Sequence, residues 1–186
     1  MEKAVIGMQK YPQAYINYLI HFHAERDYFE CHEVLEEYWK EHPGDLWAST
    51  YVGLIQVAVS LYHWRRHNYA GAEKMLRSAL TQLKDTDLVQ LGIEADVFRT
   101  TLSRRLEILD NPEDRQYEDL DIPLADPQLE ALCLEHCSES ELTWRRPSDL
   151  SNTQLIHKHT LRDRAPVILE RERSRQMKLL AKRDKG

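Results

Sequence analysis

The sequence contains no apolar run of about 18 residues, and it has only 6 Gly and 7 Pro among 186 residues. The first absence argues against a transmembrane helix. The scarcity of Gly and Pro, with abundant Leu, Glu, Arg and Ala, favours helices. No basic segment followed by an apolar block opens the chain, so we expect no signal peptide.

Cysteine is also scarce, and its count is odd: Cys31, Cys133 and Cys137. A chain of this length folds without disulfides, so we expect reduced thiols and a cytoplasmic location. Glycine-rich phosphate loops, nucleophile elbows and dinucleotide fingerprints are absent from the sequence as well. Their absence argues against the enzyme classes that depend on them.

The charge of the chain is unevenly distributed. Residues 157–186 hold ten Lys/Arg against four Asp/Glu, a local charge of +6, whereas the net charge of the whole chain is −6. The other 156 residues therefore carry −12. A pI near 5.8 argues against a nucleic-acid partner. We expect the basic C-terminal helix to dock on the body, on a second copy in a homo-oligomer, or on a protein partner.

Hydrophobic periodicity predicts an all-α protein, a compact helical bundle around a central buried helix with a C-terminal helical extension. The central helix is apolar on most of its circumference. The predicted helices cover residues 12–26, 27–40, 45–67, 69–84, 93–109, 128–136 and 164–182. The predicted divisions are a bundle core at 1–110, an acidic connection with a short helix at 111–136, and a polar linker with a basic helix at 137–186.

Two of these helices carry polar residues that a simple core would lack. On helix 27–40, His32 and Glu36 lie one turn apart at the edge of the apolar face, whereas Glu33 is expected to point outward. On helix 45–67, an uncharged polar or small stripe interrupts the apolar surface at Ser49, Gly53, Gln56, Ser60, His63 and His67. We therefore predict a buried polar cluster of His32, Glu36, Gln56, Ser60, His63 and Asn68.

This cluster has three interpretations. In the first, its members satisfy one another by hydrogen bonds inside the bundle. In the second, His32, Glu36 and His63 converge on a divalent metal ion as two nitrogen ligands and one oxygen ligand. In the third, the stripe on helix 45–67 faces solvent, although a solvated face usually carries full charges. Glu33 is the candidate general base, but Glu36 stands where an H-E-x-x-H protease has its second His.

A family resemblance adds to this reading. The segments YFECHEVLEEYW at 28–39 and GLIQVAV at 53–59, followed by His63, Asn68 and Gly71-Ala72, resemble the bacterial and archaeal family called domain of unknown function 309. The resemblance spans roughly residues 15–84. It implies a small, all-helical, cytosolic protein of unestablished activity, sometimes labelled a predicted metal-dependent hydrolase. The signature positions that it implies are His32, Glu33, Glu36, Trp39, Gln56, His63 and Asn68.

Two functions are therefore predicted. The favoured one is an interaction or ligand-binding module built on the polar cluster. The alternative is a metal-dependent hydrolase in which His32, Glu36 and His63 hold the metal and Glu33 acts as the base. A divalent metal is the one cofactor that the residues suggest.

Overall fold

A computed structural model describes residues 10–161 of the chain. The chain divides into two units after Ile156. The first unit holds α1 to α8 and a π-helical turn that continues α1; of the second unit, residues 157–161 are described and contain α9. The helices are α1 Gln13–Ile20, the π-turn His21–Glu25, α2 Tyr28–Glu41, α3 Ala48–Trp64, α4 Tyr69–Gln82, α5 Asp85–Gln90, α6 Ala95–Asp110, α7 Pro127–Glu139, α8 Thr153–Ile156 and α9 Lys158–Leu161.

The predicted all-α class is confirmed, since residues 10–161 contain helices and one isolated β-bridge but no β-strand. The helix predicted at 164–182 lies outside the described residues. Within those residues, no helix is both long and apolar enough to cross a membrane. The first unit extends through Ile156. The divisions at 110 and 136 stay predictions.

Helix α3 is the centre of the bundle. Eleven of its seventeen residues are buried, and it packs against both α2 and α4. Phe29 at the start of α2 lies against Tyr62 near the end of α3, with ring centroids 6.3 Å apart, so these two helices are antiparallel. From α1, the Tyr18 hydroxyl donates to the Leu54 carbonyl oxygen at 2.8 Å.

The small and polar stripe of α3 is largely a close-packing surface for α4. Ser60 Oγ donates to the Ala72 carbonyl oxygen at 2.8 Å, and Ser49 Oγ donates to the Gln82 carbonyl oxygen at 3.1 Å. At Gly53, a Cβ atom would lie 2.8 Å from Leu83 Cγ and 3.2 Å from the Leu83 backbone nitrogen. The helices approach so closely because Gly53 has no side chain.

We expect Gly53→Ala to lower the free energy of unfolding by about 1–3 kcal/mol through overpacking. Alanine is the better helix former by about 1 kcal/mol, so helix propensity alone predicts the opposite sign. Urea unfolding of Gly53→Ala, Leu83→Ala and the double variant measures the coupling. The cost of Gly53→Ala should shrink in the Leu83→Ala background, and stabilisation by Gly53→Ala alone would contradict the close approach.

The π-turn carries a fully buried histidine, His23. Its Nδ1–H donates to the Leu19 carbonyl oxygen at 2.9 Å, and its Nε2 accepts the Ile122 N–H at 2.9 Å. The ring also lies against Trp144, with centroids 4.4 Å apart. The neutral His23 imidazole thus connects the segments around Ile122 and Trp144 to the first helical segment. Burial lowers the pKa of His23 to about 4.

This buried imidazole predicts a pH-dependent stability. The unfolded chain takes up a proton near pH 6.5, whereas folded His23 does so only near pH 4, so the free energy of unfolding falls as the pH is lowered through that interval. The contribution of His23 amounts to about 2 kcal/mol between about pH 7.5 and pH 5. Urea unfolding at both pH values should show that His23→Gln loses this part of the pH dependence. An unchanged slope in His23→Gln would contradict the assignment.

Candidate functional site

Helix α2 begins with a side-chain cap. The Asp27 carboxylate accepts the Glu30 N–H at 3.1 Å, as the Asp-x-x-Glu pattern at this position predicts. The inner face of α2 is fixed by Tyr28, Cys31 and Leu35, which are buried in the bundle. The cap and this apolar face together determine which side chains stand at the surface of the helix.

His32, Glu33 and Glu36 form a group at the edge of that buried face. Their side chains are 34%, 33% and 32% exposed. His32 Nδ1 lies 3.0 Å from Glu33 Oε1, and His32 Nε2 lies 3.5 Å from Glu36 Oε2. One ligand atom from each side chain lies within 4.8 Å of the others, and no other three His, Cys, Asp or Glu residues between 10 and 161 are so arranged.

His63 is not part of this group. Its Nδ1 accepts a hydrogen bond from Asn68 Nδ2 at 3.0 Å, at the corner between α3 and α4. Asn68 in turn caps α4, since its Oδ1 accepts the Gly71 N–H at 3.1 Å. Burial, and then the charge of Arg66, lower the pKa of His63. The structure thus pairs His63 with Asn68.

The hydrogen bonds of the predicted cluster members run to different neighbours. Ser60 belongs to the contact between α3 and α4, and the His63–Asn68 pair closes the corner between those helices. Gln56 is partly buried and its Oε1 has no hydrogen-bond partner. His32 and Glu36 stand at the surface of α2, where Glu33 joins them instead of pointing away. A helical wheel predicts the direction of each side chain around its own helix, but it does not predict which neighbouring helix packs against that side.

Aromatic residues flank the group on α2. Phe29 precedes His32 by one turn and contacts Tyr62, while Trp39 follows Glu36 by one turn and is partly exposed. Tyr62 also carries the Arg66 guanidinium over its ring at 5.0 Å. Lys40 Nζ contacts Glu36 Oε1 at 3.0 Å, but Lys40 is 61% exposed and such pairs are weak. In the sequence, the positions of Phe29 three residues before His32 and of Trp39 three residues after Glu36 already indicate that aromatic side chains flank the group.

The fold and this surface group define a small all-helical protein with a candidate divalent-metal site on one helix. The chain belongs to the family called domain of unknown function 309, whose model matches residues 15–75. It is 44% identical over 165 residues to the uncharacterized protein YpuF of Bacillus subtilis (strain 168), covering 88% of this chain and 94% of that protein. No solved structure matches the chain.

The pairing of His63 with Asn68 gives a testable prediction. We expect Asn68→Ala to lower the free energy of unfolding by about 1 kcal/mol, because α4 loses its cap. Asn68→Asp is the matched control, since its carboxylate retains the cap and should raise the lowered pKa of His63. Urea unfolding and an NMR titration of the His63 ring measure the two effects. An Asn68→Ala variant as stable as the wild type would contradict the capping role.

Proposed function

We propose that α2 is the ligand-binding surface of this protein and that His32, Glu33 and Glu36 hold a divalent metal ion there. The observation that carries the proposal is the convergence of the three ligand atoms within 4.8 Å on one helical turn. The ligand set differs from the predicted one, with Glu33 in the place of His63. Phe29 and Trp39, on either side of the group, supply apolar surface for an organic ligand.

The donor set agrees with this proposal. One imidazole nitrogen and two carboxylate oxygens suit Mn²⁺, Fe²⁺ or Zn²⁺. Because the three side chains come from one face of one helix and are a third exposed, a bound ion would keep coordination positions for water or a ligand. Such an ion supplies Lewis acidity, and this is the feature that makes hydrolysis the reaction to test.

Electrostatics favour a cation at the same place. Glu33 and Glu36 bring two negative charges to a single imidazole. A divalent ion would neutralise both carboxylates, and the exposed Lys40 contacts Glu36. The location that we propose is the cytoplasm, because Cys31, Cys133 and Cys137 are buried free thiols. A role in partner binding for the helix predicted at 164–182 stays a prediction, since those residues lie outside the described part of the chain.

Metal titration tests the proposal directly. We expect Mn²⁺ or Zn²⁺ to bind the full, untagged chain in isothermal titration calorimetry, with one equivalent of the ion bound at α2. His32→Ala and Glu36→Gln should weaken the binding of this equivalent on the order of 100-fold, because each removes a ligand. His63→Ala is the matched control and should leave the affinity unchanged. Equal binding by wild type and His32→Ala would overturn the site, and loss of binding in His63→Ala would restore the predicted ligand set.

The metal-loaded protein then separates the hydrolase from the ligand-binding module. Hydrolysis of ester or phosphoester probes that is lost in Glu36→Gln together with the metal would support the enzyme. Metal binding with no turnover leaves a ligand-binding module. In that case Trp39 fluorescence, with Trp39→Phe as the control, reports whether ligands occupy the α2 surface.

A further inference from the structure

A second group of ligating side chains lies between the first helical segment and α7. One open pocket of about 240 Å³ is lined by the π-turn and the end of α7, and a neighbouring one of about 250 Å³ lies between α1 and α7. His136 lines both pockets, and we call the surface around it that the two pockets occupy the α1–α7 groove. This groove is built from residues that the α2 site does not use.

The π-turn presents a paired histidine and carboxylate to this groove. His21 Nδ1 contacts the Glu25 carboxylate, and the two side chains are 26% and 36% exposed. In a π-helix the hydrogen bonds run from residue i to i+5, and in this turn His21 and Glu25, four residues apart, are in contact. The same turn directs His23 into the core. π-Turns interrupt α-helices infrequently and often do so at functional sites.

His136 supplies a second imidazole from the opposite wall. It is half-buried in the last turn of α7, immediately before the buried Cys137. Helix α7 is held in place at its other end, where Asp126 caps it by accepting the Gln128 N–H at 2.9 Å and also accepts from the Tyr11 hydroxyl. The two walls of the groove are therefore positioned by the fold and not by the groove residues themselves.

We propose that His21, Glu25 and His136 form a second binding site, for a divalent transition-metal ion of the Zn²⁺ class. Two imidazoles and one carboxylate are the donor set of many three-ligand zinc and iron sites that leave coordination positions open. The residues lining the two pockets include Glu135 and Glu139 but no Lys or Arg, so the local charge favours a cation.

Metal binding here requires a movement of His136. The three ligand atoms do not already lie within 4.8 Å of one another, unlike those of His32, Glu33 and Glu36. Because His21 and Glu25 are already in contact and His136 lines the same pocket, the half-buried His136 side chain would have to rotate toward them to complete the site. A bound ion would then connect the π-turn to α7, whereas an ion on α2 connects residues of a single helix.

The experiment removes the α2 site first. In the full-length His32→Ala, Glu36→Gln double variant, we expect Co²⁺ to bind stoichiometrically and to produce the visible absorption bands of a nitrogen-ligated ion. Zn²⁺ should displace the Co²⁺, and it should shift the NMR signals of the His21 and His136 rings together. Adding His21→Ala or His136→Ala should weaken binding at least about 10-fold.

Matched variants keep the result interpretable. His42→Ala removes an exposed histidine elsewhere and should leave Co²⁺ binding intact, while His136→Gln replaces His136→Ala if the latter does not fold by circular dichroism. Absence of Co²⁺ binding in the double variant, or equal binding after His136→Ala, would overturn the second site. Neither result bears on the α2 site, which is tested separately by His32→Ala in the otherwise wild-type chain.

Discussion

The buried guanidinium of Arg26 is the interaction on which both candidate sites depend. Arg26 is 2% exposed and has a left-handed backbone, with φ of 56°. Its side chain donates to the carbonyl oxygens of Phe22, Leu120 and Arg146 and to the Asp121 carboxylate, and its own carbonyl accepts from Arg65 Nη1 at 2.7 Å. Because a buried charge that loses its partners costs several kcal/mol, this turn is held in one conformation.

That turn separates the two candidate sites along the chain and positions both of them. The π-turn, with His21 and Glu25, ends immediately before Arg26, and α2, with the His32 group, begins immediately after Asp27. Side chains on elements whose ends are fixed in this way keep their geometry better than side chains on loops. Arg26, with its left-handed backbone and buried charge, thus lies between the His21–Glu25 pair and the His32 group.

Local rules predicted much of this fold, because the deciding interactions are short in sequence. The caps at Asp27 and Asn68 and the buried central helix follow from spacing within one helix. The π-turn and helix α5 were not predicted. The four acceptors of the Arg26 side chain could not be predicted, since three of them lie about a hundred residues away. For the candidate site too, spacing within one helix does not predict contacts between helices. Residue spacing placed His32 and Glu36 together, but the assignment of His63 depended on how α4 packs against α3.

The acidic residues of α2 do not by themselves require a metal. Glu30 lies in the first turn, where the helix dipole favours a negative charge, and Lys40 contacts Glu36. The residue that needs a functional explanation is His32, because a solvated helix face gains little from an imidazole between two carboxylates. Protons and metal ions compete for the lone pairs of that imidazole. The proposal for α2 therefore depends on His32, and the carboxylates of Glu33 and Glu36 determine which cations the site can bind.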